Sequence, residues 1–269
     1  MYYLNLINLL KNNGIKYSLQ TITDLIIYKK DSALNKKNCQ IKNATTIASW
    51  SGGKDSCLAC FKAMDKGYQI GFLLNLISRK FQRCCFHGIP KKLIQLQANL
   101  MGIPLFQKEV SDDMALYEQE FKEAVTSLKS KGSREMVFGD IYLMEHKNWV
   151  ERVGQDLNIE VIEPLWGTNT LKVMEEFIDL GFKAVVVSAQ ASLFSKDIIG
   201  QPVDREILAI LKRKGICPCG ENGEYHTFVL GGPIFKKGEI RIKKSQVVFK
   251  EGFWSHWFLD IQDYVQIPK

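Results

Sequence analysis

Short apolar stretches alternate with longer segments of helical periodicity between residues 45 and 166. The apolar stretches are "TTIASW", "YQIGFLLNLIS", "IPLFQKEV", "EMVFG" and "IEVIEPLW". Each has the length of a strand, and the segments between them are long enough to be crossover helices. The alternation predicts an α/β fold, a doubly wound parallel sheet with helices on both faces. Ligands of such sheets bind at the carboxyl ends of the strands.

The pattern changes after Trp166, where a helix, a strand and a second helix precede a turn-rich stretch at 217–228 and further strand-like segments. We therefore predict a first domain over residues 44–164 and a smaller α+β domain over residues 165–269. Residues 1–43 are rich in Asn, Lys, Ile and Tyr, and we treat them as an N-terminal extension of undetermined role.

Composition narrows the class of protein. No apolar run approaches the length of a membrane span, and the N-terminus lacks the features of a signal peptide, so we expect a cytoplasmic protein without a membrane partner. Seven cysteines in 269 residues favour a reducing compartment over a disulfide framework. The net charge of +7 permits an acidic partner such as ATP or RNA, although solubility alone is the favoured explanation.

The hexapeptide "SGGKDS" joins the first predicted strand to the first predicted helix. The unpaired amides and positive dipole of a helix N-terminus bind phosphate, and glycines allow the backbone to approach closely. The aspartate either caps the helix or holds a Mg²⁺ ion that bridges phosphates. The predicted ATP-binding residues of this loop are Ser51, Gly52, Gly53, Lys54, Asp55 and Ser56.

Two common phosphate-binding patterns do not fit this loop. The Walker A motif needs glycine five residues before Gly53, where the chain has Ala48, and the dinucleotide pattern also fails. The hexapeptide resembles the PP-loop of the ATP pyrophosphatase superfamily, the N-type adenine nucleotide alpha hydrolases; the alternative is a chance Gly-Gly turn. The resemblance implies that the loop grips the β,γ-pyrophosphate and that ATP is cleaved to AMP and pyrophosphate. Leu76 and Ile77 are then expected beside the adenine, with core packing as the alternative.

Four further stretches together resemble one subfamily. They are "FHGIPKKLIQLQANLMGIPL", "FGDIYLMEHKNWVERV", "EPLWG" and "CGENGEYHTFVLGGPIFKK". These are similar to the diphthine–ammonia ligase family, which shares a diphthamide synthesis ATP-binding domain. The resemblance covers about residues 45–250 and is closest to the shorter archaeal and bacterial members.

The resemblance implies an ATP-dependent amide ligase. ATP, with Mg²⁺, would adenylate the carboxylate of diphthine, a modified histidine of elongation factor 2, and ammonia would then displace AMP. Free ammonium is the expected nitrogen source, since the sequence offers no glutaminase domain. In a bacterial chain the acceptor is expected to be another carboxylate.

The stretch "GENGEYHT" at 220–227 concentrates polar groups in a turn-rich segment, as loops that line sites often do. Carboxylates and an aromatic ring suit an ammonium ion or the quaternary ammonium group of diphthine. A hydrogen-bonded β-turn is the alternative. With the phosphate loop, the predicted catalytic residues are Lys54, Asp55, Glu221 and Glu224, and the predicted substrate-binding residues of this stretch are Asn222, Tyr225 and His226.

Three more residues are predicted to bind substrate. Asp140 follows a predicted strand at its carboxyl end, with a helix cap as the alternative. Arg152 suits a phosphate or carboxylate, with a surface ion pair as the alternative. His87 precedes a predicted helix, where a local cap is equally expected.

The cysteines predict no metal site. Zinc sites usually carry two C-x₂₋₄-C pairs, whereas "CPC" and "CC" have poor spacing. Cys57 and Cys60 lie one turn apart on the loop helix, so packing explains them better. Two other functions remain open at this point: a PP-loop enzyme that modifies tRNA, although we expect no nucleic-acid partner, and an ATP-binding regulator without turnover.

Overall fold

The computed structural model describes residues 45–85, 87–251 and 255–269, so the predicted extension over residues 1–43 lies outside the described residues. The described chain contains a parallel sheet of five strands in the order β3-β2-β1-β4-β5. Its strands are β1 (Thr45–Ser49), β2 (Ile70–Ser78), β3 (Leu105–Val110), β4 (Ser133–Val137) and β5 (Glu160–Ile162). The predicted doubly wound parallel sheet is confirmed.

Both faces of this sheet are covered by helices, because consecutive strand residues point to opposite sides and both sides are apolar. The helices are α1 (Lys54–Asp65), α2 (Lys91–Met101), α3 (Met114–Lys129) and α4 (Met144–Leu157). Ala48 packs in the core with α1 and α2, while its neighbour Ile47 packs in a second core with α3 and α4. Continuous apolar strands were therefore the correct indication of a sheet buried on both faces.

Local residues define where the helices begin and end. Pro90 is the N-cap of α2. Gly102 ends the helix in the left-handed region, with φ 74°. Asp113 caps α3 by accepting hydrogen bonds from the amides of Ala115 and Leu116 at 3.0 and 3.1 Å. The fifth strand is shorter than predicted, because residues 164–167 form a turn.

The smaller second sheet is antiparallel, with the order β7-β6-β9-β8. It contains β6 (Lys183–Gln190), β7 (Tyr225–Gly231), β8 (Glu239–Lys250) and β9 (His256–Ile267), and it is accompanied by α5 (Thr170–Asp179) and α6 (Arg205–Lys214). This confirms the α+β character predicted for the C-terminal part. The predicted turn-rich stretch is wrong at its end, because the strand already begins at Tyr225 and pairs with Ala189. The domain boundary between residues 164 and 165 stays a prediction.

Strand β7 lies against the loop that precedes α1. The amide of Val229 donates to the carbonyl oxygen of Gly52 at 2.9 Å. The amide of Lys54 donates to the hydroxyl of Thr227 at 3.0 Å. One hydrophobic core joins α1 and α2 to both sheets, through Cys57 and Phe228 among others. Among the described helices, none is long and apolar enough to cross a membrane.

Candidate active site

The candidate site lies where the order of the parallel sheet reverses. The chain places β2 and β3 on one side of β1 and β4 and β5 on the other. The loops that follow β1 and β4 therefore diverge to opposite faces and leave a crevice at the carboxyl ends of the strands. The two loops approach each other closely at Gly139. A Cβ atom at this position would lie 3.0 Å from the carbonyl carbon of Asp55.

A cavity of about 280 Å³ occupies this crevice. It is lined by loop residues, by the end of β2, by the segment after β4 and by the turn before β7. Its polar lining residues are Ser51, Asp55, Ser56, Asn75, Asp140, His146, Glu221 and His226. Seven of the sixteen predicted site residues thus line one cavity, although they come from both halves of the chain.

Lys54 is buried, with 3% of its side chain exposed. Its ammonium group donates to Asp55 Oδ2 at 2.9 Å and to the carbonyl oxygen of Cys219, and it lies 5.1 Å from the ring centre of Tyr225. Burial alone would lower the pKa of Lys54, but the charge of Asp55 and the surrounding acceptors raise it above its ordinary value. The lysine therefore stays protonated and ties the loop to the C-terminal half.

The two loop glycines face protein atoms. Gly52 has φ 79°, and a Cβ atom there would lie 2.6 Å from both Gln97 Oε1 and Ile94 Cδ1. A Cβ atom on Gly53 would lie 2.5 Å from Cε1 of His87. Close packing thus requires glycine at both positions, whatever binds in the cavity.

The loop hydroxyls and Asp55 face the cavity. Ser51 Oγ lies 3.2 Å from Ser56 Oγ and accepts a hydrogen bond from the amide of Gly53, also at 3.2 Å. Asp55 Oδ1 is buried and has no hydrogen-bond partner among the described residues. Burial raises the pKa of Asp55, while Lys54 opposes that shift. An unpaired carboxylate oxygen in this position suits a cation that accompanies phosphates, so the residues fit the predicted Mg²⁺.

Asp140, His146 and Glu221 converge at one side of the cavity, with one ligand atom of each within 4.8 Å of the others. Asp140 Oδ1 lies 3.0 Å from His146 Nδ1, and Glu221 Oε1 accepts a hydrogen bond from the amide of Ile141 at 2.8 Å. The hydrogen bond to Asp140 raises the pKa of His146, and burial raises the pKa of Glu221. Cysteine spacing predicted no metal site, but the structure assembles three possible ligands here.

The two predicted catalytic glutamates separate. Glu221 reaches the cavity, whereas Glu224 accepts hydrogen bonds from the backbone amide and the side-chain amide of Asn222, both at 3.0 Å. Asn222 also donates to the hydroxyl of Tyr142 at 2.9 Å. Tyr225 is 1% exposed and donates its hydroxyl proton to the carbonyl oxygen of Pro218. These three predicted residues organise the turn in the described structure.

His87 and His226 form a tilted pair of rings behind the loop, with ring centroids 4.7 Å apart and an interplanar angle of 44°. His87 Nδ1 lies 3.1 Å from the carbonyl oxygen of Thr227, and His226 faces the cavity. Burial lowers the pKa of His87 to about 4 and that of His226 well below its ordinary value. Both imidazoles are therefore neutral at physiological pH.

Three remaining predicted residues lie in different environments. Leu76 lines the cavity, as predicted for an adenine neighbour, while Ile77 is 1% exposed and packs in the core. Arg152 does not belong to the cavity lining in the described part of the chain. Its guanidinium pairs with Glu118, with Nη1 to Oε1 at 2.8 Å, on the surface of α3 and α4.

Sequence reasoning missed several contributors. Gln97 lies on the same face of α2 as the buried Leu93 and Leu100, and its amide is fully buried beneath the loop. A polar residue on such a face is a signal that could have identified it. Tyr117 lines the cavity without a local sequence signal.

Comparison with known proteins shows the family to which the chain belongs. Residues 44–161 match the family described as "Diphthamide synthase N-terminal domain", and residues 169–267 match "Diphthamide synthase C-terminal domain". The chain belongs to the diphthamide synthase family. The predicted resemblance is therefore confirmed.

Curated relatives of this diphthamide synthase family member carry the name diphthine–ammonia ligase. The protein from Bos taurus is 28% identical over 221 residues, which cover 74% of this chain and 82% of the relative. The protein from Schizosaccharomyces pombe is 23% identical over 222 residues, which cover 75% of this chain and 37% of that longer relative. The prediction of a ligase is thus confirmed at the level of the family.

A solved structure with a related outline is titled as the predicted subunit of a tRNA methyltransferase from Methanocaldococcus jannaschii. It is 19% identical, has a TM-score of 0.40, and covers 71% of this chain and 98% of its own. A match at this score supports no conclusion about fold or function.

Proposed function

We propose that the chain is an ATP-dependent ligase that converts the carboxylate of diphthine on an elongation factor 2-like protein into an amide. The observation that carries the proposal is the meeting of the phosphate loop with Asp140 and Glu221 around one cavity. The loop would bind an anion, and the carboxylates beside it would bind a cation. Such a pair of adjacent sites suits a reaction between a nucleotide and ammonium. The family membership supports the same chemistry.

The first step would form an acyl-adenylate. A carboxylate oxygen of the acceptor attacks the α-phosphorus of ATP, and the bond to the β-phosphate breaks to release pyrophosphate. Ser51, Ser56 and the amides at the start of α1 would bind the phosphates, and Lys54 would add positive charge beneath the loop. The step makes an unreactive carboxylate into an electrophile with a good leaving group.

The second step would form the amide. Ammonia attacks the carbonyl carbon, AMP leaves with the electrons of the carbon–oxygen bond, and the nitrogen loses a proton. Glu221 and Asp140 would bind ammonium at the cavity and take up that proton. Burial raises the pKa of Glu221, which makes this carboxylate a better proton acceptor than an exposed one.

Mg²⁺ would be bound by Asp55, which lines the same cavity and whose buried Oδ1 has no hydrogen-bond partner among the described residues, and would supply charge neutralisation for the phosphates. Glu224 and Asn222 would hold the turn that carries Glu221. In this proposal the C-terminal half supplies the acceptor side of the site, and the N-terminal half supplies the nucleotide side.

Product analysis tests the proposal. The purified chain would be supplied with Mg²⁺, ATP and ammonium, with and without elongation factor 2 that carries diphthine. We expect AMP and pyrophosphate in equal amounts, only with that protein and together with its amidation. AMP that forms without that protein would redirect the search to other acceptors, and ADP with phosphate would refute the PP-loop chemistry.

Two matched variants sharpen this test. Glu221→Gln removes a carboxylate that lines the cavity, and we expect AMP formation to fall about 100-fold. Glu224→Gln changes a residue of the same turn that lies outside the cavity lining in the described residues. The glutamine can still accept a hydrogen bond from Asn222, so we expect AMP formation to fall less than about tenfold. Equal effects of the two substitutions would contradict the distinct roles assigned here.

A further inference from the structure

Three possible metal ligands converge from separate parts of the chain. Asp140 follows β4, His146 lies in the first turn of α4, and Glu221 lies in the turn before β7. One ligand atom of each falls within 4.8 Å of the others, and Asp140 Oδ1 to His146 Nδ1 is 3.0 Å. Ligand atoms on one ion with bonds of about 2.1 Å lie roughly 3 Å apart when adjacent and about 4 Å apart when opposite. Small side-chain rotations would therefore bring the three ligand atoms onto one ion and leave its remaining coordination positions open.

Negative charge accumulates around this group. Asp55 lines the same cavity and has a buried oxygen without a hydrogen-bond partner among the described residues. The Glu163 side chain is 8% exposed, and its Oε1 also has no hydrogen-bond partner among the described residues. The charge of Asp140 is one of the causes that raise the pKa of Glu163. Lys54 is already bound to Asp55, and Lys147 lies 3.4 Å from Glu163. Two lysines thus face four carboxylates, and the excess favours a bound cation.

We propose that Asp140, His146 and Glu221 bind a divalent transition-metal ion of the Mn²⁺ class, in the absence of nucleotide. One imidazole and two carboxylates suit such an ion, whereas Mg²⁺ is usually held by oxygen ligands alone. The ion is distinct from a Mg²⁺ brought by ATP to Asp55. Asp140 and Glu221 are also the carboxylates proposed above to bind ammonium, and they cannot hold both cations at once, so the metal-bound state is an alternative to that role. The metal proposal concerns binding only and does not rest on the proposed ligase function.

The surroundings leave the site accessible. His146 is 56% exposed, and the carboxylates line the cavity, so the ion would keep positions open on the cavity side for water or an oxygen of a ligand. The backbone amide of Ile141 donates to Glu221 and fixes that carboxylate. A site of this kind would add positive charge to the cavity beside the loop that precedes α1.

Titration of the full chain with Mn²⁺ alone, without nucleotide, tests the proposal. Calorimetry, with electron paramagnetic resonance of the free ion, is expected to show one site per chain. His146→Ala and Asp140→Asn should each weaken binding at least about tenfold. Asp156→Asn, which removes an exposed carboxylate of the same helix, should leave binding unchanged. Because His146 is exposed, its substitution is expected to leave the melting temperature unchanged.

Absence of binding at millimolar Mn²⁺, or equal binding by wild type and both ligand variants, would overturn the proposal. Binding that appears only when ATP is present would overturn it as well. Lys54→Met should retain Mn²⁺ binding although it is expected to lose ATP turnover. A chain that binds Mn²⁺ but never forms AMP would therefore refute the proposed function and leave the metal site standing.

Discussion

The ammonium group of Lys54 lies 2.9 Å from Oδ2 of Asp55, the next residue of the phosphate loop. The same ammonium group donates to the carbonyl oxygen of Cys219, which belongs to the C-terminal half of the chain. The lysine therefore positions the aspartate and connects the two halves of the chain, whatever its role toward phosphate in the proposed function. Asp55 Oδ2 is occupied by this pair, whereas Oδ1 is buried without a hydrogen-bond partner among the described residues.

Replacement of Lys54 by methionine is expected to abolish AMP formation, with a loss of at least about 100-fold. The same change leaves the Asp55 carboxylate without its partner, so the free energy of unfolding should fall by about 3 kcal/mol. Asp55→Asn in the same chain removes that unpaired charge and should restore most of the stability without restoring turnover. Urea denaturation and product analysis measure the two effects. Turnover by the single variant at the wild-type rate would refute the loop assignment.

Gly53 and His87 form a second testable pair. Gly53→Ala places a methyl group 2.5 Å from Cε1 of His87, which should lower the free energy of unfolding by about 2 kcal/mol. His87→Ala removes the obstructing ring, so the double variant should be more stable than the sum of the single effects predicts, by about 1 kcal/mol. Denaturation of all four proteins gives this coupling energy.

Gly52 provides the control for the double-mutant cycle of Gly53 and His87. Its φ of 79° is strained for any other residue, and its hypothetical Cβ meets Gln97 and Ile94 instead of the imidazole. Gly52→Ala and His87→Ala should therefore add within about 0.5 kcal/mol. A coupling equal to that of Gly53 would contradict the packing described for the loop.

The sheet was predictable because its signals are local: apolar strand lengths, helix caps and a glycine-rich turn each act over a few residues. The glycine-containing loop between β1 and α1 was predictable for the same reason, while its binding of phosphate stays a prediction. The convergence of Asp140 with Glu221 depends instead on how the two halves pack, which no local pattern encodes. Glu221 and Glu224 are near neighbours in sequence, yet only the former lines the cavity among the described residues. Arg152 was predicted to bind substrate, but its guanidinium forms an ion pair with Glu118 on the surface, and no local pattern indicates this partner.

Acid should destabilise the protein through His87. Burial lowers its pKa to about 4 in the folded state, against an ordinary value of 6.5. Between these values the unfolded chain binds more protons, so stability falls as the pH falls. His87 alone should contribute a loss of about 2 kcal/mol between pH 7.5 and pH 5.0.

His87→Asn isolates this contribution, because its side-chain amide can still donate to the carbonyl oxygen of Thr227 but does not titrate. Urea denaturation at both pH values should show a smaller acid loss for the variant than for the wild type, by about 2 kcal/mol. His87 also helps to lower the pKa of His226, so the difference between the two proteins measures His87 together with its effect on His226. Identical acid losses would show that His87 has the same pKa in the folded and unfolded chain.

Gln97 should stabilise the loop through three hydrogen bonds. Its side-chain amide donates to the carbonyl oxygens of Gly52 at 3.1 Å and Val229 at 2.6 Å, and its oxygen accepts from the indole of Trp50 at 3.0 Å. Gln97→Leu leaves these buried groups unpaired, so we expect a loss of about 3 kcal/mol in the free energy of unfolding and reduced AMP formation. Gln95→Leu, an exposed position of the same helix, should change stability by less than about 0.5 kcal/mol. Equal stability of the two variants in urea would mean that packing alone holds the loop against β7.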